Sequence, residues 1–280
     1  MNGLKPSTRA KIGVWVRTIL INGLAIVMAI PLYYIVINTF KSTVEMAQAP
    51  FALPQHWTLQ HYVDVFGTLP IARSFLNSLI ITIVAVFFEV LIGACAAYGM
   101  ILRNSRFTAA VGSILMVAFC IPVQATLIPL YKMEARLNLV DSLLGLIILY
   151  LANAIFCYML TVGYMRKLPM EIIEAARIDG AGPFKIFRVI VLPMITPILA
   201  TVTVFQTLST WNDFMLPNIF LTSTDLRTVI LQVYNAMSQF TTDWPLFMTI
   251  TVIALVPVVI FFIFCQRWIV SGLVSGSVKG

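Results

Sequence analysis

The sequence has few charged residues. Only 10% of its 280 residues are Asp, Glu, Lys or Arg, whereas a soluble domain carries roughly 25%. With 60% hydrophobic residues and a mean hydropathy of +0.96, the chain lacks the polar surface that would cover it in water. The composition excludes an ordinary cytosolic enzyme and favours a membrane protein. The net charge of +7 does not indicate nucleic-acid binding, because the Lys and Arg residues are not gathered on one exposed domain.

Residues that bind metals or form disulfide frameworks are also scarce. The two histidines, His56 and His61, have no ligand cluster or nucleophile around them. A phosphate-binding loop of the form G-x4-G-K-[ST] is absent, because the nearest stretch, Gly180 to Lys185, lacks the glycine before the lysine and the hydroxyl residue after it. No C-x-x-C pair occurs among the cysteines, which lie inside apolar runs: Cys95, Cys120, Cys157 and Cys265. These absences argue against a metalloenzyme, a disulfide scaffold and ATP hydrolysis by this chain.

Long apolar runs dominate the sequence instead. A helix needs roughly 20 apolar residues to cross a membrane, and six segments meet this requirement: residues 18–40, 75–102, 107–131, 142–165, 193–221 and 246–265. The first is too long for a signal peptide and has no A-x-A cleavage site, so we expect a retained span. We therefore predict an all-α polytopic membrane protein with six transmembrane helices. Prolines inside the spans predict kinks at Pro31, Pro122, Pro129, Pro197 and Pro257.

The distribution of positive charge predicts the orientation of the spans. If the N-terminus is cytoplasmic, thirteen of the 18 Lys and Arg residues fall on the cytoplasmic side, and the other five are Lys41, Arg73, Lys132, Arg136 and Arg227. Loops rich in Lys and Arg remain in the cytoplasm. Both termini are therefore predicted to be cytoplasmic, with segment 1–17 before and segment 269–280 after a six-helix domain, 18–268. The loop 166–192 is then the longest charged segment on the cytoplasmic side.

This 166–192 loop is predicted to form two short helices. Pro169 can open the first helix, and two acids in its first turn, Glu171 and Glu174, suit the positive end of the helix dipole. Gly180 is placed to stop that helix, and Pro183 to start the second. Two interpretations are open: a knob that fits a groove of another protein, or an amphipathic helix that lies on the bilayer.

A signature in this loop favours the first interpretation. Glu174-Ala175-Ala176, Gly180, Ile190, Leu192 and Pro193 match the pattern E-A-A-x3-G-x9-I-x-L-P at every named position. The pattern resembles that of the membrane subunits of ATP-binding-cassette (ABC) importers, and Arg177 to Ala181 is similar to the version in maltose-type carbohydrate permeases. The resemblance covers most of the chain through three further segments: Ile121 to Tyr131, Trp211 to Asp213 and Gln266 to Gly280.

The resemblance implies a type I ABC importer permease, not an enzyme, in a bacterial or archaeal cytoplasmic membrane. In that family the loop is a coupling helix that docks into a cytoplasmic ATPase. The implied partners are a second permease with an EAA motif, two cytoplasmic ATP-binding subunits and an extracytoplasmic solute-binding protein. ATP and Mg²⁺ are expected on the ATPases and no cofactor on this chain. Carried over to this sequence, the coupling residues are Glu174, Ala175, Ala176, Asp179, Gly180, Ile190, Leu192 and Pro193.

Polar residues at membrane depth mark a candidate translocation pathway. The fifth span gathers hydroxyl, amide, carboxylate and indole groups, which suit a sugar in a water-filled cavity or, alternatively, a contact with the second permease. Glu89 in the second span is either a pathway-lining acceptor or a packing contact. The candidate pathway residues are Glu89, Asn153, Thr207, Thr210, Trp211, Asn212 and Asp213.

The predicted function is therefore the permease subunit of an ABC importer for a sugar or oligosaccharide. One alternative is the same machine importing another solute, such as a glycerophosphodiester, although no Lys or Arg lies deep in the spans to bind an anion. A second alternative, from a different class, is a secondary transporter. Only Glu89 and Asp213 could then serve as ion sites, and no internal repeat is evident.

Overall fold

The computed structural model of the chain describes residues 8–103, 105–239 and 243–277, and all regular secondary structure within these ranges is helical. The predicted all-α class is confirmed. The helices are α1 (Thr8–Asn38), α2 (Thr43–Gln48), α3 (Gln60–Thr68), α4 (Ile71–Leu102), α5 (Arg106–Phe119), α6 (Val123–Arg136), α7 (Leu143–Tyr150), α8 (Ala154–Met165), α9 (Glu171–Ile178), α10 (Pro183–Ile186), α11 (Leu192–Asn212), α12 (Met215–Phe220), α13 (Val229–Gln239) and α14 (Trp244–Ser277).

Long apolar helices account for five of the six predicted spans. Among the described residues, the helical segments that are long and apolar enough to cross a membrane are Gly13–Asn38, Ile71–Leu102, Leu143–Met165, Pro183–Trp211 and Trp244–Gln266. The third of these combines α7 and α8 through a short 3-10 turn, Leu151–Asn153. The chain is thus a multi-pass membrane protein.

The remaining predicted span, residues 107–131, is a bent pair rather than one straight helix. Helices α5 and α6 meet at an angle of 100° across the break at Cys120–Pro122. Pro122 has no backbone N–H, and its ring disfavours a helical conformation of Ile121. The kink predicted at Pro122 is therefore a sharp break that divides the span into two helices of 14 residues each.

The fifth predicted span, residues 193–221, also differs from a single helix. Helix α11 ends at Asn212, where Asp213 adopts an extended conformation (φ −69°, ψ 128°). The Asp213 carboxylate then accepts a hydrogen bond from the backbone N–H of Met215 (2.8 Å), at the start of α12. An aspartate side chain that bonds the backbone two residues on favours a turn over a continued helix.

The chain forms two compact units. One comprises the described parts of Met1–Leu69 and Ala236–Ile253, and the other those of Pro70–Asn235 and Ala254–Gly280. In the first unit, the buried Lys41 ammonium donates hydrogen bonds to the carbonyl oxygens of Ala49 (2.9 Å) and Pro50 (3.3 Å), and burial lowers the pKa of this amine. Both candidate sites lie in the second unit.

Helix α4 is the central element of the second unit. It packs along α8 and α11, and at Gly93 it comes so near to α8 that no side chain would fit. A Cβ atom at this position would lie 2.5 Å from Cβ of Cys157 and 2.8 Å from the carbonyl oxygen of Ala154. Because glycine has no side chain, the backbone of α4 can approach α8 more closely than any other residue would permit.

The loop that follows α12 is tied to two other parts of this unit. Asp141 accepts hydrogen bonds from the backbone N–H groups of Thr222 (2.8 Å) and Ser223 (2.9 Å), and also from the Ser223 hydroxyl. At the start of α4, the Asn77 side chain donates to the carbonyl oxygens of Asp225 and Arg227. These bonds fix the loop to both the α6–α7 connection and α4.

Candidate functional sites

The 166–192 loop is built around a helix that ends in a defined cap. The backbone N–H of Ala181 donates to the carbonyl of Ala176 and that of Gly180 to the carbonyl of Arg177, both at 3.0 Å. This pair of bonds is a Schellman motif, which requires a left-handed residue. Gly180 supplies it with φ 78°, so the glycine of the signature has a direct structural role in turning the chain between α9 and α10.

Side chains of α9 divide between the protein interior and the surface. Ile173 and Ala176 are buried in a core with residues of α4, α8 and α11. Of the other predicted coupling residues in this segment, Glu174, Ala175, Asp179 and Gly180 are exposed. Ala176 therefore anchors the helix to its own subunit, whereas the other four remain available to a partner.

Two large apolar side chains project from the loop beside the Gly180 turn. Ile178 is 86% exposed and Phe184 is 75% exposed. Exposed apolar side chains near charged neighbours suit a contact with a protein or with the bilayer surface. Sequence reasoning did not single out these two residues, because the apolar periodicity of a short helix does not reveal which member faces outward.

The loop enters α11 through an irregular stretch. Phe187–Val191 forms a π-helix. Pro193 lies just inside α11 and has no backbone N–H, so it cannot donate the regular α-helical hydrogen bond to the carbonyl of Val189. Ile190 and Leu192 are half-buried against the core that holds Ile173, while Pro193 is exposed. The three signature residues after Gly180 thus fix the loop at the entrance to α11.

Tyr98 of α4 is a contact of this loop that sequence reasoning missed. Its hydroxyl donates a hydrogen bond of 2.8 Å to the carbonyl oxygen of Pro183, 85 positions away in the sequence. Its ring packs on that of Phe187, with centroids 5.1 Å apart. Only the folded chain brings these residues together, so no local sequence signal could have indicated the contact.

The candidate pathway residues face different parts of the second unit. A cavity of about 710 Å³ has polar groups from Gln124, Tyr150, Asn153, Ser209 and Asp213 in its wall. Thr207 and Trp211 instead line an apolar groove of about 660 Å³ between α4, α11 and α14. Two of the seven predicted residues, Asn153 and Asp213, are therefore brought together at the polar cavity.

Hydrogen bonds hold the polar wall of this cavity in place. The Tyr150 hydroxyl donates to Oδ2 of Asp213 (2.8 Å), which joins α7 to the end of α11. The Gln206 side chain donates to the backbone carbonyl of Asn153 (2.9 Å), at the 3-10 turn between α7 and α8. These bonds tie the backbone at Asn153 to α11 and the Asp213 carboxylate to α7.

The other predicted pathway residues occupy structural positions. Glu89 is fully buried, lies near Asn153 and α8, and lines neither the cavity nor the groove. Thr210 is buried, and the Asn212 side chain folds back to the carbonyl of Leu208 (2.8 Å). Trp211 donates to the carbonyl of Ala254 (3.4 Å) and packs edge-on against Phe75. Glu89, Thr210 and Trp211 are thus buried within this subunit.

Comparison with known proteins identifies relatives over the whole chain. It is 31% identical to a probable starch degradation products transport system permease of Thermoanaerobacterium thermosulfurigenes, covering 95% of this chain and 98% of the relative. Identity to the multiple sugar-binding transport system permease of Streptococcus mutans is 32%, covering 96% and 98%. The diacetylchitobiose uptake system permease of Streptomyces coelicolor is 29% identical, covering 91% and 85%.

Solved structures share the fold. A chain of a bacterial ABC transporter that imports the acidic polysaccharide alginate superimposes with a TM-score of 0.80 at 23% identity, covering 95% of this chain and 99% of that one. A chain of the MetNI methionine ABC transporter gives a TM-score of 0.58 at 18% identity, covering 72% and 95%. The predicted fold of an ABC importer permease is therefore confirmed, and this fold is shared by importers of different solutes.

A family model matches residues 89–275, which include the 166–192 loop and the polar cavity wall. The model describes transport components rather than enzymes. On this match, and on the relatives that cover almost the whole chain, the protein belongs to the family of binding-protein-dependent transport system inner membrane components.

Proposed function

We propose that this chain is the permease subunit of an ABC importer for a neutral sugar or oligosaccharide, and that it transmits ATP hydrolysis through the 166–192 loop. The main support for the coupling role is that α9 has a buried face, with Ile173 and Ala176, and an exposed face around Glu174. The buried face packs on α4, α8 and α11, whereas the exposed face combines the apolar Ile178 with the charged Glu174 and Asp179. The exposed face fits a protein cleft.

The proposed partners follow from this surface and from the family. Two ATP-binding subunits would lie on the cytoplasmic side and carry ATP and Mg²⁺. One would bind the 166–192 loop of this chain, and the other would bind a second permease. Ile178 and Phe184 would enter the cleft of the ATPase, with Glu174, Ala175, Asp179 and Gly180 around them. Both termini would be cytoplasmic, and an extracytoplasmic binding protein would deliver the solute to the opposite side of a bacterial or archaeal membrane.

Two observations support a sugar as the solute. Curated relatives bear the names of permeases for starch degradation products, diacetylchitobiose and multiple sugars. The polar cavity offers hydroxyl, amide and carboxylate groups beside apolar surface, and among the described residues no Lys or Arg side chain lines it. Such a wall suits sugar hydroxyls and C–H patches, and it lacks the cations that would bind a phosphodiester.

The test is reconstitution of the chain with the second permease, ATP-binding subunit and binding protein of its own source in proteoliposomes. Uptake and ATP hydrolysis are measured with maltotriose, diacetylchitobiose and raffinose, and with glycerophosphocholine and methionine for comparison. Stimulation by a neutral oligosaccharide supports the proposal; stimulation by glycerophosphocholine or methionine alone overturns it. Glu174→Lys and Gly180→Asp should abolish coupling without loss of membrane insertion, and normal ATPase stimulation in these variants contradicts the role of the loop.

A further inference from the structure

Tyr98 joins the 166–192 loop to a transmembrane helix that is distant in sequence. Its hydroxyl donates to the carbonyl oxygen of Pro183 at 2.8 Å, and only 7% of the side chain is exposed. The same carbonyl also accepts the backbone N–H of Phe187, the residue whose ring packs on Tyr98. The tyrosine therefore holds the first turn of α10 by one hydrogen bond and one ring contact.

This contact gives the loop a second route into the membrane domain. The covalent route runs from α10 through the π-helix Phe187–Val191 into α11. A π-helix has i→i+5 hydrogen bonds, a pattern that is rare in proteins and frequent at functional sites. The route through Tyr98 instead enters α4, which packs along α8 and locks against it at Gly93. Helix α8 begins beside Asn153 in the wall of the polar cavity.

The hydroxyl group is the element that distinguishes this contact from ordinary packing. A phenylalanine at position 98 would keep the ring on Phe187 but could not bond the Pro183 carbonyl. A buried tyrosine hydroxyl is costly to leave without a partner, and here its partner is a backbone atom of the loop rather than a side chain. A movement of α10 would therefore be transmitted directly to α4 through this hydrogen bond.

We propose that Tyr98 is a positioning residue that makes the 166–192 loop and α4 move together, so that the state of the ATPase reaches the cavity through α4 and α8 as well as through α11. This inference rests on the proposed function, because it assigns a role within the coupling of ATP hydrolysis to the cavity. Glu174 and its exposed neighbours contact the ATPase, whereas Tyr98 acts on the inner side of the same loop.

The experiment uses the complete complex in proteoliposomes and a readout that does not depend on the solute. The reference protein carries Ser209→Cys in the cavity wall, with Cys95→Ser and Cys120→Ser to remove the exposed native thiols. Fluorescein maleimide labels position 209 with and without MgATP and vanadate. Tyr98→Phe is compared with Tyr158→Phe, because Tyr158 is equally buried, at 7% exposure, in the same core while its hydroxyl lies near Gly112 of α5.

Tyr98→Phe removes one hydrogen bond and should therefore reduce the MgATP-dependent change in labelling about two- to tenfold. Tyr158→Phe should leave this change as it is in the reference protein. Deuterium exchange should rise at the amides of α10 in Tyr98→Phe only, and this measurement remains informative if assembly with the ATPase is weakened. Wild-type labelling and exchange in Tyr98→Phe, with a defect appearing only in Tyr98→Ala, would show that ring packing suffices and would overturn the proposal. An equal defect in Tyr158→Phe would overturn it as well.

The two proposals fail in distinguishable ways. If Glu174→Lys abolishes the MgATP-dependent labelling change while Tyr98→Phe retains it, the coupling function of the 166–192 loop is supported and the positioning role of Tyr98 is contradicted. If Glu174→Lys retains the labelling change, the coupling function of the loop itself is contradicted. A defect in Tyr98→Phe with normal deuterium exchange in α10 would also count against Tyr98, because the proposed contact acts by holding that helix.

Discussion

The Tyr150 hydroxyl donates a 2.8 Å hydrogen bond to Oδ2 of Asp213, and so connects α7 to the residue at which α11 ends. The second carboxylate oxygen accepts the backbone N–H of Met215 and starts α12. One side chain thereby sets both the end of a membrane helix and the polar wall of the cavity. If the cavity receives the solute, as proposed, polar groups held by such a network need little reorganisation when it binds.

The first prediction concerns this pair. Tyr150→Phe and Asp213→Ala should each destabilise the complex, and their effects should not be additive, because the two changes remove the same bond. A hydrogen bond to a carboxylate contributes about 1.5–3 kcal/mol, and a double-mutant cycle from denaturant unfolding should return a coupling energy of that size. Asn212→Ala is the control, since the Asn212 side chain is exposed and bonds only within its own helix turn among the described contacts.

Asp141 gives a prediction with a defined pH dependence. Hydrogen bonds from Ser223 and Thr222 hold the pKa of this carboxyl below its ordinary value, with the Ser223 side chain as the largest cause. Because the pKa is lower in the folded state, the stabilisation is present above the unfolded value of about 3.9 and is lost as the pH falls through the folded value.

The difference in thermal midpoint between the wild type and Asp141→Asn should therefore be constant near neutral pH and shrink as the pH is lowered below about 4. Thermal unfolding of the detergent-solubilised protein at a series of pH values measures it. Asp64→Asn is a suitable control, because Asp64 contacts Gln60 within α3 and no loop depends on it in the described contacts. A difference that grows on acidification would contradict the assignment.

Local signals in the sequence predicted the turn between the two helices of the 166–192 loop, although α9 begins at Glu171 and not at Pro169. Gly180 stops α9 and Pro183 begins α10 at the expected positions, because a left-handed cap and a residue without an N–H are decided within one turn of the chain. The break at Pro122 was predicted as a kink for the same reason, although its angle of 100° was not. The angle depends on what each half packs against, which no local pattern encodes.

Long-range packing set the features that the sequence could not predict. The sequence presents the polar residues of the fifth span as one group, yet the rotation of α11 places Ser209 at the polar cavity and Thr207 with Trp211 at the apolar groove. Composition along a helix does not reveal how the helix is rotated about its axis. The contact of Tyr98 with Pro183 was invisible for the same reason, since it depends on how α4 and the loop meet.

Gly180 and Gly182 offer a matched test of the helix cap. An added Cβ meets no atom within 4 Å at either position, but only Gly180 has a positive φ, at 78°. Gly180→Ala should therefore cost about 1–2 kcal/mol, which is the penalty of the left-handed conformation for a residue with a Cβ. Gly182→Ala, at φ −70°, should be nearly neutral. Deuterium exchange of the amides of Gly180 and Ala181 measures the local opening, and equal protection in both variants would contradict the cap.

Gly93 tests the packing of α4 on α8. An alanine Cβ would lie 2.5 Å from Cβ of Cys157, so Gly93→Ala should destabilise the protein by about 1–3 kcal/mol through overpacking. Cys157→Ala should not rescue it, because the Cβ atom of residue 157 and the Ala154 carbonyl remain in place. Gly99→Ala, six residues along the same helix with no atom within 4 Å, is the control. A thermal midpoint for Gly93→Ala equal to that of the control would show that the helices can separate without cost.

The exposed pair on the 166–192 loop predicts where ATPase binding energy is concentrated. Ile178 and Phe184 are 86% and 75% exposed, and burial of such a side chain in a cleft contributes about 1.5–3 kcal/mol. Ile178→Ser and Phe184→Ser should each weaken binding of the ATP-binding subunit by about tenfold or more, since 1.4 kcal/mol is a factor of ten in affinity. The free permease should be as stable as the wild type, because neither side chain is buried in it.

Phe107→Ser separates a specific effect from a general loss of apolar surface, because Phe107 is 76% exposed but lies at the start of α5, outside the 166–192 loop. Affinity is measured by titrating the fluorescently labelled ATP-binding subunit onto the permease complex in nanodiscs. A loss in the two loop variants together with wild-type affinity in Phe107→Ser places the binding energy on the loop. Equal losses of affinity in all three variants would mean that the ATPase binds exposed apolar surface in general. The proposal that the 166–192 loop is its specific binding site would then be contradicted.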